Sequence, residues 1–259
     1  MKQGFGIAGI AGRMGQMLVQ EVAAAGAPLA GGIDRPGVND IGSADLFADI
    51  SGLAEASEVV IDFTHASTAR VHARAMARAG TAWVVGTTGL SAEDEAELKR
   101  AAETIAVVYA PNFAPGVNLV LALAEQMARA LPAARYDAEI VEMHHRQKVD
   151  APSGTAIGLG QAVARGRGVQ LADVMQSGRD GHTGARPDGA IGFAALRGGQ
   201  VVGEHTLLFA AADEHIAITH RAFDRRVFAA GAVRAALWVR GRAPGLYSMM
   251  DVLGMRAGG

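Results

Sequence analysis

The chain has 259 residues, half of them hydrophobic and 19% charged, a composition that excludes wholesale disorder. The 24 Lys and Arg residues stand against 26 Asp and Glu residues, and the formal net charge of −2 argues against a general nucleic-acid binder. Cysteine is absent, which excludes disulfides, thiolate metal sites and a thiol nucleophile and is typical of a reducing, cytoplasmic location.

The first 110 residues alternate short β-branched runs with alanine-rich runs of helical periodicity. This pattern is typical of a parallel sheet with crossover helices. Strands are predicted over residues 4–8, 29–33, 59–63, 82–85 and 105–110. Helices are predicted over residues 14–25, over 66–79 with Gly80 as the C-cap, and from Ser91, which forms a capping box with Asp94, to residue 103.

A glycine-rich turn joins the first strand to the first helix. Gly9, Gly12 and Gly15 recur at every third position, with Ala11 between the first two. Residues without a bulky Cβ let the backbone approach a pyrophosphate, and the helix N-terminus supplies free N–H groups. Arg13 adds a cation for phosphate. The motif indicates a dinucleotide site, and the alternative is a tight strand–helix turn without a ligand.

An acidic residue follows this turn at the distance that a dinucleotide site requires. Asp34 lies 19 residues after Gly15, at the end of the second predicted strand, where a carboxylate binds the ribose hydroxyls of NAD. Arg35 follows directly and can pair with the additional phosphate of NADP. We therefore expect both NADH and NADPH to bind.

Two further loops follow predicted parallel strands. They read Gly-Thr-Thr-Gly over residues 86–89 and Ala-Pro-Asn-Phe over residues 110–113. Ligands of open α/β sheets bind at the carboxyl ends of the strands, so contact with the nicotinamide or a ribose is predicted for both loops. Either loop could instead be only a turn.

The second half of the chain lacks the regular strand–helix alternation of the first. Helices are predicted over residues 116–131, from residue 153 and over 225–238. Strands are predicted over residues 136–145, 190–196, 200–209 and 214–220, after a polar loop over 176–189 that is either a lid or a connection. Residues 104–124 are uncharged, but Pro111, Asn112 and Pro115 interrupt them, so no membrane partner is expected.

The predicted fold class is α/β, with a Rossmann-like parallel-sheet domain and a second α+β domain with a mixed or antiparallel sheet. The dinucleotide-binding domain is assigned to residues 1–112, completed by the C-terminal segment 223–259. The second domain is assigned to residues 113–222.

The segment from residue 142 to 156 gathers His144, His145, Arg146 and Lys148. Two adjacent histidines on a strand point to opposite faces, so they share one task only if the strand ends there. Because adjacent histidines rarely reach one ion from a strand, no metal is expected. Lys148 and one histidine would supply positive charge and a proton near neutral pH. The alternative is a solvated basic loop.

This segment then opens a predicted helix with Ser153, Gly154 and Thr155. Backbone N–H groups and hydroxyls at a helix start form a cradle for a carboxylate. The remaining histidines are treated as structural, except that His182 lies in the polar loop over 176–189: His65, His72, His205, His215 and His220.

Together these motifs resemble those of the 4-hydroxy-tetrahydrodipicolinate reductase family, formerly called dihydrodipicolinate reductase. The resemblance covers nearly the whole chain. It is carried by the glycine turn, the two strand-end loops, the run His-His-Arg-Gln-Lys-Val-Asp-Ala-Pro-Ser-Gly-Thr-Ala at residues 144–156, and shorter matches at 197–199, 202–206, 218–221 and 245–253.

The resemblance implies NAD(P)H-dependent reduction of a cyclic imine dicarboxylate in diaminopimelate and lysine biosynthesis. It also implies a C-terminal domain for substrate binding and oligomerisation, and a homotetramer. Of the matching residues, it assigns catalysis to His144 and Lys148, and leaves open which of them delivers the proton. Substrate binding is expected at His145, Ser153, Gly154 and Thr155. Cofactor contacts are expected at Gly9, Ile10, Ala11, Gly12, Arg13, Met14, Asp34, Arg35, Gly86, Thr87, Thr88, Ala110, Pro111, Asn112 and Phe113.

Two features depart from the family pattern. Asp34 replaces a frequent glutamate, and the chain between residues 34 and 59 is short, so the preference between NADH and NADPH stays open. The rival enzyme class is another two-domain NAD(P)-dependent dehydrogenase acting on an amino-acid-like substrate. A nucleotide-sensing regulator would need a DNA-binding element, and no basic helix-turn-helix is found.

Overall fold

The structure is a computed structural model that describes residues 2–35, 37–38 and 44–255. Its strands are β1 (Phe5–Ala8), β2 (Leu29–Ile33), β3 (Val59–Asp62), β4 (Ala82–Val85), β5 (Ala106–Tyr109), β6 (Asp137–His144), β7 (Met175–Ser177), β8 (Ile191–Arg197), β9 (Gly203–Ala210), β10 (His215–Ala222) and β11 (Gly245–Tyr247). Its helices are α1 (Arg13–Ala24), α2 (Ile50–Ala56), α3 (Ala69–Ala79), α4 (Ala92–Ala101), α5 (Pro115–Ala130), α6 (Gly154–Arg167), α7 (Leu171–Val174), α8 (Arg226–Val239) and α9 (Met249–Val252).

The chain divides into two compact units. The first comprises Met1–Pro115 with Arg226–Gly259, and the second comprises Gly116–Arg225. Parts of the predicted dinucleotide-binding domain, residues 1, 36, 39–43 and 256–259, lie outside the described residues. Within the described ranges, no helix combines the length and apolar character needed to cross a membrane.

The first unit is built on a six-stranded parallel sheet with the order β11-β5-β4-β3-β1-β2. Its central strands are buried on both faces, as their continuous apolar runs predict. Val59 and Ile61 of β3 face a core shared with α1 and α8, whereas Val60 faces a core shared with α2, α3 and α4. The predicted Rossmann-like arrangement is confirmed.

Local signals fix the ends of two helices in this unit. Gly80 ends α3 in the left-handed region at φ 62°, where a residue with a Cβ would be strained. Ser91 and Asp94 form the predicted capping box at the start of α4. Both predictions are confirmed.

The second unit contains a five-stranded sheet with the order β10-β9-β6-β8-β7. Strand β9 is antiparallel to β6 and β10, whereas β8 is parallel to β6 and β7, so the predicted mixed sheet is confirmed. Ile140, Leu207 and Phe209 face a core shared with α5 and α6. The next residue of β6, Val141, is 38% exposed on the opposite face.

Five short elements escaped sequence-based prediction: α2, α7, α9, β7 and β11. The two strands have three residues each, too few for an alternating pattern to be visible. Strand β7 occupies the start of the predicted loop over residues 176–189. Further along this loop, Arg179 and Arg186 both bind the Glu139 carboxylate of β6, which ties the loop to the sheet.

Candidate functional site

The first unit contains a cavity of about 630 Å³ at the carboxyl edge of its sheet. Five residues of the predicted cofactor site line it: Gly9, Ala11, Gly12, Asp34 and Arg35. Sequence analysis missed other lining residues, which follow β3 along the chain: Phe63, Thr64, His65, Thr68 and His72. The histidines that were treated as structural therefore include two that face this cavity.

The glycine turn leads closely into the start of α1, and two of its positions require glycine. Gly9 adopts φ +84°, a conformation that residues with a Cβ rarely take. A Cβ on Gly15 would collide with the carbonyl oxygens of Gly9 and Ile10. No side chain caps α1 at Gly12 and its first turn holds no acidic residue, so the helix N-terminus suits a bound pyrophosphate.

Asp34 is oriented across this turn by the backbone. One carboxylate oxygen accepts the N–H of Ala11 at 2.8 Å, and the other accepts the N–H of Arg35 at 2.8 Å. Because each carboxylate oxygen accepts more than one hydrogen bond, Asp34 retains capacity for ribose hydroxyls. The pairing also ties the end of β2 to the loop after β1.

The later predicted loops lie along the same sheet edge. Gly86 donates its backbone N–H to the carbonyl of Asp62 at 2.8 Å, and Ala110 donates to Val85 at 3.3 Å. These bonds align the loops after β4 and β5 with the loop after β3. Thr88 is exposed here, whereas Thr87 is 3% exposed.

Three predicted cofactor residues have their side chains in the hydrophobic core. Ile10, Ala110 and Phe113 are 0%, 3% and 1% exposed and belong to the core of the first unit. Only their backbone groups are available to a cofactor. Motif matching selects positions, and it does not separate a residue that binds through its side chain from one that fills the core.

Asp62, which sequence analysis did not select, organises the loops. It is 1% exposed at the end of β3 and accepts bonds from the backbone N–H and hydroxyl of Thr64, at 3.0 and 2.6 Å. Its second oxygen lies 2.7 Å from Nδ1 of His72, and Thr87 lies 3.5 Å from its first. The available sequence signal was an acidic residue at the end of an otherwise apolar strand.

In the second unit, His144 is the last residue of β6 and is fixed by a buried carboxylate. Its Nδ1 lies 2.6 Å from Oε2 of Glu142, which is 1% exposed. Arg197 donates to both Glu142 oxygens at 2.8 Å, and the Ser153 N–H donates to Oε1 at 3.1 Å. Burial alone would raise the pKa of Glu142, but the bonds from Arg197 and His144 hold it below its usual value.

The His144 ring also contacts His205 of β9. The ring centroids are 5.0 Å apart in an edge-on arrangement, and His205 Nε2 lies 3.0 Å from the Ser153 hydroxyl. Burial lowers the pKa of His144, opposed by Glu142, and lowers the pKa of His205 to about 4. In the part of the chain that the structure describes, no three potential metal ligands cluster.

The predicted cradle begins at Ser153, whose hydroxyl accepts the N–H of Ala156 at 3.2 Å and caps α6. Gly154 is exposed and Thr155 is half-buried in the first turn. Lys148 lies nearby in sequence, and its Nζ contacts both carboxylate oxygens of Asp150 at 2.8 and 2.9 Å. Because an ammonium group has three donors, Asp150 occupies only part of the hydrogen-bonding capacity of Lys148.

Strand β6 ends at His144, so the two histidines are not constrained to alternate faces of the sheet. His145 leaves the strand and donates its backbone N–H to Val201 at 2.8 Å. Sequence analysis missed Glu142, Arg197 and His205 in this site. The spacing of Glu142 two residues before His144 on one strand was the signal that places both on one face.

Comparisons with known proteins find the same family in both halves of the chain. Residues 4–113 match the profile of the dihydrodipicolinate reductase N-terminus, and residues 116–253 match that of the C-terminus. The 4-hydroxy-tetrahydrodipicolinate reductase of Granulibacter bethesdensis is 70% identical over 253 residues, which cover 97% of each chain. The enzyme of that name from Gluconacetobacter diazotrophicus is 61% identical over 250 residues, 96% of each chain.

Among solved structures, the dipicolinate-bound dihydrodipicolinate reductase from Paenisporosarcina sp. TG-14 is similar with a TM-score of 0.79 and 26% identity. The alignment covers 97% of this chain and 99% of that one. A probable dehydrogenase from Thermotoga maritima aligns with a TM-score of 0.60 and 12% identity, which shows a common fold alone.

The low pKa of His205 predicts a pH-dependent stability. Between its unfolded value of 6.5 and its folded value of about 4, the unfolded chain binds more protons than the folded chain. Lowering the pH through this window should reduce the free energy of unfolding by up to about 3 kcal/mol from this group, at ~1.4 kcal/mol per pKa unit. Urea titrations of the parent and His205→Gln measure the effect. Equal pH slopes for the two would contradict the prediction.

Proposed function

The chain belongs to the dihydrodipicolinate reductase family, and we propose that its two units divide the binding tasks of that family's reaction. The first unit would hold NADH or NADPH, and the second would hold the dicarboxylate substrate and supply the proton. The observation that carries this proposal is His144, fixed by the buried Glu142 beside Ser153 at the start of α6, in a chain whose first unit also has a cavity bordered by the glycine turn and Asp34.

The family reaction is an NAD(P)H-dependent reduction in the biosynthesis of diaminopimelate and lysine, and the chain is an oxidoreductase of this class. The cyclic substrate loses water to give a conjugated ene-imine, which gains a hydride and a proton to become tetrahydrodipicolinate. When bound, NADH or NADPH supplies the hydride.

The residues of the first unit fit such a cofactor. The turn from Gly9 to Gly12 and the uncapped start of α1 would hold the pyrophosphate, with Arg13 adding positive charge. Asp34 would bind the ribose hydroxyls, and Arg35 would pair with the additional phosphate of NADPH. The loops over residues 86–88 and 110–113 would contact the remainder of the cofactor.

The second unit would bind the substrate through its anionic groups. Ser153, Gly154 and Thr155 would hold one carboxylate at the start of α6, together with His145 and Lys148. Their positive electrostatic environment favours the electron-accepting form of the ring. His144 or Lys148 would then return a proton to the enamine carbon or nitrogen. The dipicolinate bound to the Paenisporosarcina enzyme supports a dicarboxylate ligand.

The exposed face of the second sheet supports a homotetramer. Met143 pairs in register with Leu196 across β6 and β8, on the face opposite the α5–α6 core. Leu196 is 51% exposed and Val141 is 38% exposed on this face. Exposed hydrophobic side chains on a sheet face favour association with a second copy. The absence of cysteine supports a cytoplasmic location.

The experiment that tests the function is a coupled assay. Aspartate semialdehyde and pyruvate are condensed by the preceding synthase, and oxidation of NADH and NADPH is followed separately. Synthase-dependent oxidation is the expected result. Binding of both nucleotides without oxidation would preserve the cofactor assignment and refute the substrate assignment.

In this assay, Lys148→Ala should lower kcat by about 10²- to 10⁴-fold, the usual contribution of a general acid or base. Nucleotide binding, measured by NADH fluorescence, should be unchanged because Lys148 lies outside the first unit. Lys99→Ala, an exposed lysine of α4, is the control and should retain full activity. Equal turnover in Lys148→Ala and the parent would remove Lys148 from catalysis.

Asp34→Ala should weaken NADH more than NADPH, because the carboxylate would bind the ribose 2′-hydroxyl of NADH, whereas in NADPH this oxygen carries the phosphate that Arg35 would hold. Because Asp34 also binds Ala11, both affinities fall, and the measured quantity is the ratio of the two KM values. Arg35→Ala should shift that ratio in the opposite direction. An unchanged ratio in both variants would reject the two assignments.

Val141→Asp should dissociate the proposed tetramer, because a buried unpaired charge is costly. Sedimentation should give the parent a mass four times 26.7 kDa and the variant a smaller assembly. Val71→Asp, at a 59% exposed position of α3, is the control and should sediment like the parent. A parent that sediments as a single chain would overturn the tetramer.

A further inference from the structure

Glu142 is buried, and both of its carboxylate oxygens have hydrogen-bond partners. Oε1 accepts bonds from Arg197 Nη2 and the Ser153 N–H, at 2.8 and 3.1 Å. Oε2 lies 2.8 Å from Arg197 Nη1 and 2.6 Å from His144 Nδ1. The paired bonds from Arg197 stabilise the ionised form, which the low pKa of Glu142 also reflects.

An ionised carboxylate only accepts hydrogen bonds, so His144 must present an N–H at Nδ1. The proton of the neutral ring is therefore on Nδ1, and Nε2 is the atom that can gain or lose a proton. The same carboxylate holds the Ser153 N–H, at the residue that caps the cradle helix. One group thus fixes the histidine tautomer and the start of the cradle together.

We infer that Glu142 is a positioning residue for proton transfer, a role that rests on the function proposed above. Its carboxylate, held by Arg197, orients the His144 ring so that Nε2 is available to the substrate. The same carboxylate holds this ring close to Ser153. Glu142 touches neither substrate nor cofactor in this role. It acts through His144, as the buried carboxylate of a catalytic triad acts through its histidine.

The charged surroundings of His144 determine what removal of Glu142 should do. Burial is the largest influence that lowers the pKa of His144, and the charges of Lys148 and Arg197 lower it further. His205 faces the ring from β9, with His220 of β10 beyond it, and Asp150 pairs with Lys148. Glu142 is the group that favours the protonated ring. Its removal should therefore lower the pKa of His144.

The first test measures ring protonation without any substrate. ¹⁵N NMR of the parent labelled at histidine should show His144 protonated at Nδ1, and the signal is assigned by its loss in His144→Gln. C2-hydrogen exchange, followed by mass spectrometry over a pH series, should show the pKa of His144 lowered by about one unit or more in Glu142→Gln. Glu125→Gln is the matched control, since Glu125 is also bound by two arginines, Arg129 and Arg165, within the same unit.

The second test is kinetic. Glu142→Gln should lower kcat at least about 10-fold, and the alkaline limb of its pH–rate profile should move to lower pH. Glu142→Asp keeps the charge, so its alkaline limb should stay closer to that of the parent. NADH binding should be unchanged in both variants, because the cofactor residues belong to the first unit.

Three results would overturn the inference. They are an Nε2–H tautomer in the parent, an unchanged His144 pKa in Glu142→Gln, or equal kinetic losses in Glu142→Gln and Glu142→Asp without a shift of the profile. The NMR result stands even if Glu142→Gln fails to fold. A parent that fails the coupled assay but shows the predicted tautomer and pKa shift would refute the proposed function and retain the positioning of His144.

Discussion

The buried carboxylate of Glu142 is the constraint on which the site of the second unit depends. An ionised carboxylate removed from water is strongly unfavourable unless donors replace its hydration. Here the donors are the Arg197 guanidinium, the His144 ring and the Ser153 backbone. They come from the end of β8, the end of β6 and the start of α6. Satisfying one charge therefore brings three separate chain segments to one point.

The first unit applies the same principle at the carboxyl edge of its sheet. Asp34 at the end of β2 accepts the N–H of Ala11 in the turn after β1. Asp62 at the end of β3 binds Thr64 and His72 and lies 3.5 Å from Thr87 of the loop after β4. Acidic side chains at strand ends thus fix loops that a parallel sheet brings side by side but does not by itself hold in one conformation.

Sequence analysis predicted the long elements and their ends because the signals are local. The capping box at Ser91 and the left-handed Gly80 are determined by neighbouring residues. Strands β7 and β11 escaped prediction because three residues show no periodicity, and their pairing with distant strands stabilises them. The cofactor motif selected Ile10 and Phe113 by their positions in the loops, but it could not reveal that their side chains fill the core.

The sequence by itself determined the fold class, the glycine turn and the family, since periodicity, glycine spacing and a long contiguous motif are properties of the chain as written. Only the tertiary structure decided which side chains meet His144. Glu142 was visible two residues away, but Arg197 reaches the Glu142 carboxylate, and His205 reaches the His144 ring, through the register of β6 with β8 and β9. Strand register depends on how whole sheet faces are buried, so it cannot be predicted from the spacing of residues along the chain.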